Sequence, residues 1–196
     1  MLTRISDNPI WNQGQKESSR DIVWNTSVER EDEFAFGGFN QTDPELKASS
    51  LKTRNPIDFG EFLKINFLLL IKPNIANGAA IIDLDLALNG NSKDFFSMIV
   101  DNNELHTTVR NGDIRSTFTI KQPLHEWSWI DIQLRKKHIT VNLPNKTSYY
   151  FKFDREMNVS YVSFGNNERY DGLDLTKHDN FSVKDIQIET EYFKLK

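Results

Sequence analysis

The chain of 196 residues contains no cysteine, which excludes disulfide scaffolds, thiolate zinc sites, iron–sulfur clusters and cysteine nucleophiles. The compartment stays open, because a domain of this size stands without disulfides inside or outside a cell. An excess of positive charge is also missing. Lys and Arg number 24 against 28 Asp and Glu, a formal charge of −4, whereas a dedicated nucleic-acid binder normally carries a basic face. The longest apolar run, Phe67-Leu68-Leu69-Leu70-Ile71, is far short of the roughly 20 residues of a spanning helix. Met1-Leu2-Thr3-Arg4 leads into the polar Ser6-Asp7-Asn8-Pro9 and not into an apolar signal core. The expectation is either an intracellular protein or a chain cut from something longer.

What the chain does have is aromatic mass, with 14 Phe, 5 Tyr and 4 Trp, enough to build one sizeable core. In Phe62 to Ile71 the alternate residues Leu63, Ile65, Phe67, Leu69 and Ile71 make one apolar face, with Lys64 and Asn66 opposite. Such a period of two predicts a strand with one face in a core. Ala79 to Leu88 repeats it, with Ile82, Leu84, Leu86 and Leu88 inward and Asp83 and Asp85 outward; Asn77-Gly78 and Asn89-Gly90 supply turns. Further strands are predicted at 94–100, 105–110, 114–120, 127–134, 139–143, 149–153, 159–164 and 183–188, with a closing one at 192–195. Arg135-Lys136-Lys137-His138 joins two of them as a hairpin tip. Short strands with turn signals about every ten residues describe an all-β, two-sheet antiparallel sandwich or barrel. The first 60 residues are less regular. The glycines of Phe36-Gly37-Gly38-Phe39 read as a strand end or bulge, with a ligand loop as the alternative, and Thr42 to Asn55 reads as a connection or a surface turn of helix. Residues 1–196 are expected to form a single sandwich domain, its early part completing the edges or covering the rim.

Catalytic constellations are scarce. His106, His125, His138 and His178 lie apart, without metal-ligand spacing, and read as surface or hydrogen-bonded structural residues. Asp83 and Asp85 are the one pair of alternating carboxylates on a strand suited to glycoside hydrolysis; the bland alternative is a solvated strand face. A carbohydrate-active enzyme is the second reading, helped if Trp127 and Trp129 stack on sugar rings. Their alternation with Ser128, Ile130, Ile132 and Leu134 points instead to the core. A galectin-like lectin is the third, although the His, Arg, Asn and Glu set for galactose is not visible. Arg135, Lys136 and Lys137 form the densest positive run, able to capture a sulfated glycan or phosphate or simply to keep a turn soluble. Sequons occur at Asn25, Asn40, Asn145, Asn158 and Asn180, about twice the chance number, and point to a secreted or cell-surface setting.

The stretch from Phe62 to Ile188 resembles a laminin G-like domain of the concanavalin A-like jelly-roll class. An apolar strand, Asn77-Gly78 and a second apolar strand stand in the order of that family. Asp94-Phe95-Phe96-Ser97-Met98-Ile99-Val100 with Asn103-Glu104-Leu105 is similar to its central strand pair. Glu126-Trp127-Ser128-Trp129-Ile130-Asp131-Ile132 with Ile139-Thr140-Val141-Asn142 is similar to its tryptophan strand and the strand after it. Val162-Ser163-Phe164-Gly165 and Phe181 to Ile188 stand where its closing strands do. Ile130 replaces the family's histidine, and Ser182 its late cysteine. The resemblance implies a jelly-roll sandwich and a non-enzymatic, extracellular binding or adhesion module that presents rim loops to a glycan or protein. It also implies a Ca²⁺ site at the rim, with Asp94 matching one ligand and Asn158 near the second.

Overall fold

The computed structural model describes residues 11–13, 33–36, 51–53, 56–71, 79–86, 94–101, 104–112, 114–120, 125–165, 181–192 and 194–195. The regular elements among them are all strands: β1 (Trp11–Gln13), β2 (Glu33–Phe36), β3 (Leu51–Thr53), β4 (Ile57–Asp58), β5 (Phe62–Ile71), β6 (Ala79–Asp85), β7 (Phe95–Asp101), β8 (Glu104–Asn111), β9 (Ile114–Ile120), β10 (Ser128–Arg135), β11 (His138–Asn142), β12 (Ser148–Lys152), β13 (Val159–Phe164), β14 (Phe181–Thr190) and β15 (Lys194–Leu195). They form two antiparallel sheets. One is eight-stranded, in the order β1-β3-β13-β6-β7-β8-β9 with β4 also on β13; the other is seven-stranded, in the order β12-β11-β10-β5-β14-β15 with β2 also on β14.

The alternation in β5 explains why the sheets meet. Leu63, Ile65, Phe67, Leu69 and Ile71 are all buried, each contributing about 1.5–3 kcal/mol relative to exposure. The strand is central, paired with β10 on one side and β14 on the other. Phe67 meets Phe164 of the opposite sheet edge to face, with ring centroids 5.0 Å apart. Ile130, Ile132, Leu134, Ile139 and Val141 extend this wall, and Ile82, Leu84, Phe96, Met98 and Val162 face it from the eight-stranded sheet. At one side of the sandwich Phe118 of β9 stacks on Tyr149 and Phe151 of β12, with centroids 3.8 and 5.0 Å away.

Several expectations need correction. Leu51–Thr53, inside the stretch read as a connection or helix, is a strand between β1 and β13; its three residues are too few for periodicity to register. Asp83 does point away from the core, yet it is only 3% exposed, and Ser97 and Ser163, its cross-strand neighbours, are buried with it. This sheet face is therefore not solvated at that row. Trp127 and Trp129 lie outside the core, because Ile130, Ile132 and Leu134 take the inward phase of β10. The turns at 77–78 and 89–90 and the glycines at 37–38 lie outside the described residues.

Candidate functional site

The strongest concentration of binding chemistry is the outer face of the seven-stranded sheet, built from alternate residues of β5, β10, β11 and β12. Register turns these four strands into cross-strand rows. One row runs Phe62, Arg135, His138, Lys152; the next Lys64, Gln133, Thr140, Tyr150; the next Asn66, Asp131, Asn142, Ser148. Trp129, opposite Leu68, begins a further row. Strands lie about 4.8 Å apart, so each four-residue row spans about 14 Å.

The first row is basic. Arg135 and Lys152 are exposed, His138 is half-buried between them, and the Arg135 guanidinium lies 5.3 Å from the Phe62 ring centre. The His138 ring stands 4.9 Å from that of Tyr150, which is 61% exposed. The third row is a hydrogen-bond relay. Ser148 Oγ donates to Asn142 Oδ1 at 2.6 Å, and Asn142 Nδ2 donates to Asp131 Oδ1 at 3.2 Å. Lys64 Nζ stands 3.6 Å from Asp131 Oδ2. Asn66 Oδ1, on the adjacent strand, is buried and has no hydrogen-bond partner among the described residues. Trp129, 43% exposed, and Tyr150 thus bracket a field of amides, a carboxylate and cations. Trp127 is different, since Lys184 Nζ caps its ring at 4.1 Å.

The structure separates the predicted cationic run. Arg135 joins the outer face, whereas Lys136 is hydrogen-bonded and ion-paired to Glu61, and Lys137 Nζ lies 3.4 Å from Glu156. The Glu61 hydrogen bond holds the Lys136 ammonium above its usual range; slight desolvation opposes it, and the charges of Glu61, Glu156 and Glu191 add to it. Both tip carbonyls are also engaged, by the N–H groups of Met157 and Phe153 at 2.7 Å each. The tip is therefore charge-matched by carboxylates. His138 belongs to the cationic run read from the sequence, whereas Lys152 is not legible there, because only strand pairing brings it beside His138 and so into the row of Arg135. The signal that points to Lys152 is the alternation of 148–152 combined with the hairpin at Pro144-Asn145.

Asp94 is 8% exposed. Its Oδ1 accepts the Gly112 N–H at 2.6 Å, and its Oδ2 faces the Arg155 guanidinium at 3.9 Å. Asn111, buried beside it, accepts the N–H groups of Asp154 and Arg155 through Oδ1 at 2.8 and 3.0 Å, anchoring the segment that carries Arg155. Asn158 is exposed, and its carbonyl accepts the Phe59 N–H at 2.9 Å. No hydrogen bond or ion pair joins Asp94 to Asn158 among the described residues. Calcium takes six to eight oxygens, with carboxylates supplying most of the charge. Here one carboxylate already serves an N–H and a guanidinium, and no cluster of three or more His, Cys, Asp or Glu suited to a metal occurs among the described residues. These residues do not fit Ca²⁺.

Of the sequons, Asn145 is exposed at the β11–β12 turn, where its Oδ1 accepts the Thr147 N–H at 3.0 Å. Asn158 is exposed but Ser160 of the same sequon is buried. Asn25, Asn40 and Asn180 lie outside the described residues, as does His178. His125 Nδ1 is 3.1 Å from the Ile71 carbonyl, and His106 Nδ1 is 3.5 Å from Thr119 Oγ1, in keeping with structural roles. Ser182, at the position compared with a cysteine, is buried in β14.

No protein-family model matches the chain, and no curated protein sequence matches it. Solved structures do. An alginate lyase from Alteromonas sp. 272 aligns with a TM-score of 0.60 at 10% identity, over 95% of this chain and 97% of the lyase. The fold is a two-sheet antiparallel jelly-roll sandwich. The botulinum neurotoxin type G receptor-binding domain aligns with a TM-score of 0.56 at 14% identity, over 91% of this chain and 42% of that one. A structure of botulinum neurotoxin type C, whose cell entry is described as dependent on interaction with two ganglioside molecules, gives 0.54 at 14% identity over 87% of this chain and 41% of that one. This jelly roll thus spans about two fifths of the length of the toxin chains. Domains LG4-5 of mouse laminin alpha1 align at 0.49 with 11% identity, over 95% of this chain and 43% of theirs, a likeness too loose to bear on ligands. Identities this low establish architecture alone.

Proposed function

We propose that this jelly roll is a non-catalytic binding module for an acidic glycan, held on the outer face of the seven-stranded sheet and not by loops at the rim. The observation that carries the reading is the row Arg135, His138, Lys152 next to exposed Tyr150, with the Asn66, Asp131 and Asn142 amides and carboxylate beyond it. Guanidinium and ammonium groups bind carboxylate or sulfate through charge-assisted hydrogen bonds. Planar amides match hydroxyl donors and acceptors, and exposed aromatic rings offer apolar faces with a polar tip. A protein interface would instead favour an apolar centre depleted of charge. The toxin structures described with gangliosides and with rat synaptotagmin II share the architecture, which supports a role in binding glycan or protein partners. An extracellular or cell-surface setting belongs to the proposal, supported by the exposed Asn145 sequon.

The enzyme reading draws on the alginate lyase likeness, but Asp83, half of its carboxylate pair, is buried. The test is calorimetric titration with a polyuronate and with a neutral glucan of similar length. The expected result is polyuronate binding that weakens with salt and falls about tenfold or more when Arg135→Ala and Lys152→Ala are combined. Equal affinity for the neutral glucan, or an unaffected double variant, would remove the acidic ligand. Shortening of the polymer during incubation would remove the non-catalytic assignment.

A further inference from the structure

Among the described residues the same sheet ends at β12, whose outer edge pairs with no other strand. Leu143 donates its N–H to the Thr147 carbonyl at 3.0 Å, and Phe153 donates to the Lys137 carbonyl at 2.7 Å. By the alternation of an antiparallel ladder, Tyr149 and Phe151 turn their backbone groups toward β11, while Ser148, Tyr150 and Lys152 turn theirs outward. All of these outward residues are exposed. Edge strands are usually blunted by a proline, a bulge, a covering segment or charged side chains, lysine above all. Strand β12 has no proline, pairs with β11 in unbroken register from Ser148 to Lys152, and carries a single charge, Lys152, at its end.

We infer that β12 pairs antiparallel with β12 of a second copy of this chain, about a two-fold axis at Tyr150. The strand is self-complementary in that register and committed to that partner by its own side chains. Tyr150 meets Tyr150, Tyr149 meets Phe151, and Lys152 meets the neutral Ser148 of the second copy, so no like charges are opposed. One row farther in, the basic line Arg135, His138, Lys152 runs into the line Ser148, Asn142, Asp131 of the second copy. A cationic row thus continues into one that carries a carboxylate. The axis stands perpendicular to the sheet, so the outer faces of both copies merge into one surface, presenting two candidate sites side by side with the gain in avidity that linkage brings. The pairing goes beyond the glycan reading and holds or fails independently of it.

Sedimentation velocity of the full chain over a concentration series tests it. The dimer fraction is expected to rise with concentration. Ser148→Lys places Lys against Lys152 twice per dimer and is expected to raise the dissociation constant about tenfold; adding Lys152→Glu to it restores the pairing. Tyr150→Pro deletes an outward N–H and spares the bonds to β11, and it is expected to give monomer whether or not Ser148→Lys folds well. A wild type that stays monomeric throughout, or a dimer untouched by Ser148→Lys or by Tyr150→Pro, overturns the inference.

Discussion

Gly60 shows how much a single position can decide. It turns the chain from β4 into β5 with φ at +61°, and its N–H is accepted by Asp58 Oδ1 at 3.1 Å. A β-carbon there would lie 2.1 Å from Glu191 Oε2 and 3.0 Å from the Tyr192 ring. The Glu191 carboxylate also accepts the Glu61 N–H at 3.2 Å, so displacing it loosens the turn beside the Lys136 pair. Gly60→Ala is expected to lower stability by about 1–2 kcal/mol, read as a shift of the urea midpoint with unchanged slope; no shift would show that the turn relaxes freely. Residue-level function was harder to see in the sequence. Trp129 was expected inside and is outside, because inwardness belongs to whichever alternation fills the core, and Ile130, Ile132 and Leu134 fill it better. Asp83 was expected in water and is buried, since period two tells which face a side chain takes but not whether that face is covered.

At the scale of an element, β14 carries the sharpest conflict between local pattern and register. Phe181 and Val183 face the core, and so do Ile186 and Ile188, which are out of phase with them. The phase change is absorbed by a bulge between Lys184 and Gln187, where Asp185 stands exposed with φ at 52°. Asp is among the residues that tolerate this region, and the extra residue resets the alternation. Deleting Asp185 would remove the extra residue and leave Ile186 alone opposite Phe67, so Ile186 and Ile188 would keep the core face in plain alternation. The variant is expected to fold with a loss of no more than about 2 kcal/mol, read from its thermal melt; failure to fold would show that the bend at the bulge, and not only the phase of the isoleucines, is required. The slipped apolar phase is visible in the sequence, but the bulge that resolves it needs the fixed register of β5 alongside.

For the whole molecule, the core shared by the two sheets carries stability without cysteine. Because Asp94 is already served by Gly112 and Arg155, thermal melts in EDTA and in millimolar Ca²⁺ are expected to coincide. A ligand bound only to the native state would raise the midpoint, and a rise of about 3 °C or more would restore calcium to the rim. Salt dependence also belongs at this scale. A chain of net charge −4 repels a polyanion at long range, so binding on the basic row must be a short-range effect that only local geometry provides.

Alternating hydrophobicity by itself determined the strand content, the inward residues of β5, β10 and β11 and the antiparallel two-sheet class. These are legible because a side chain's face depends on its own position and immediate neighbours. The candidate site was decided by tertiary structure. Arg135, His138 and Lys152 become one row only through two hairpins in register. Lys136 and Lys137 are removed from it only because Glu61 and Glu156, remote in the chain or across the turn, arrive to match their charge.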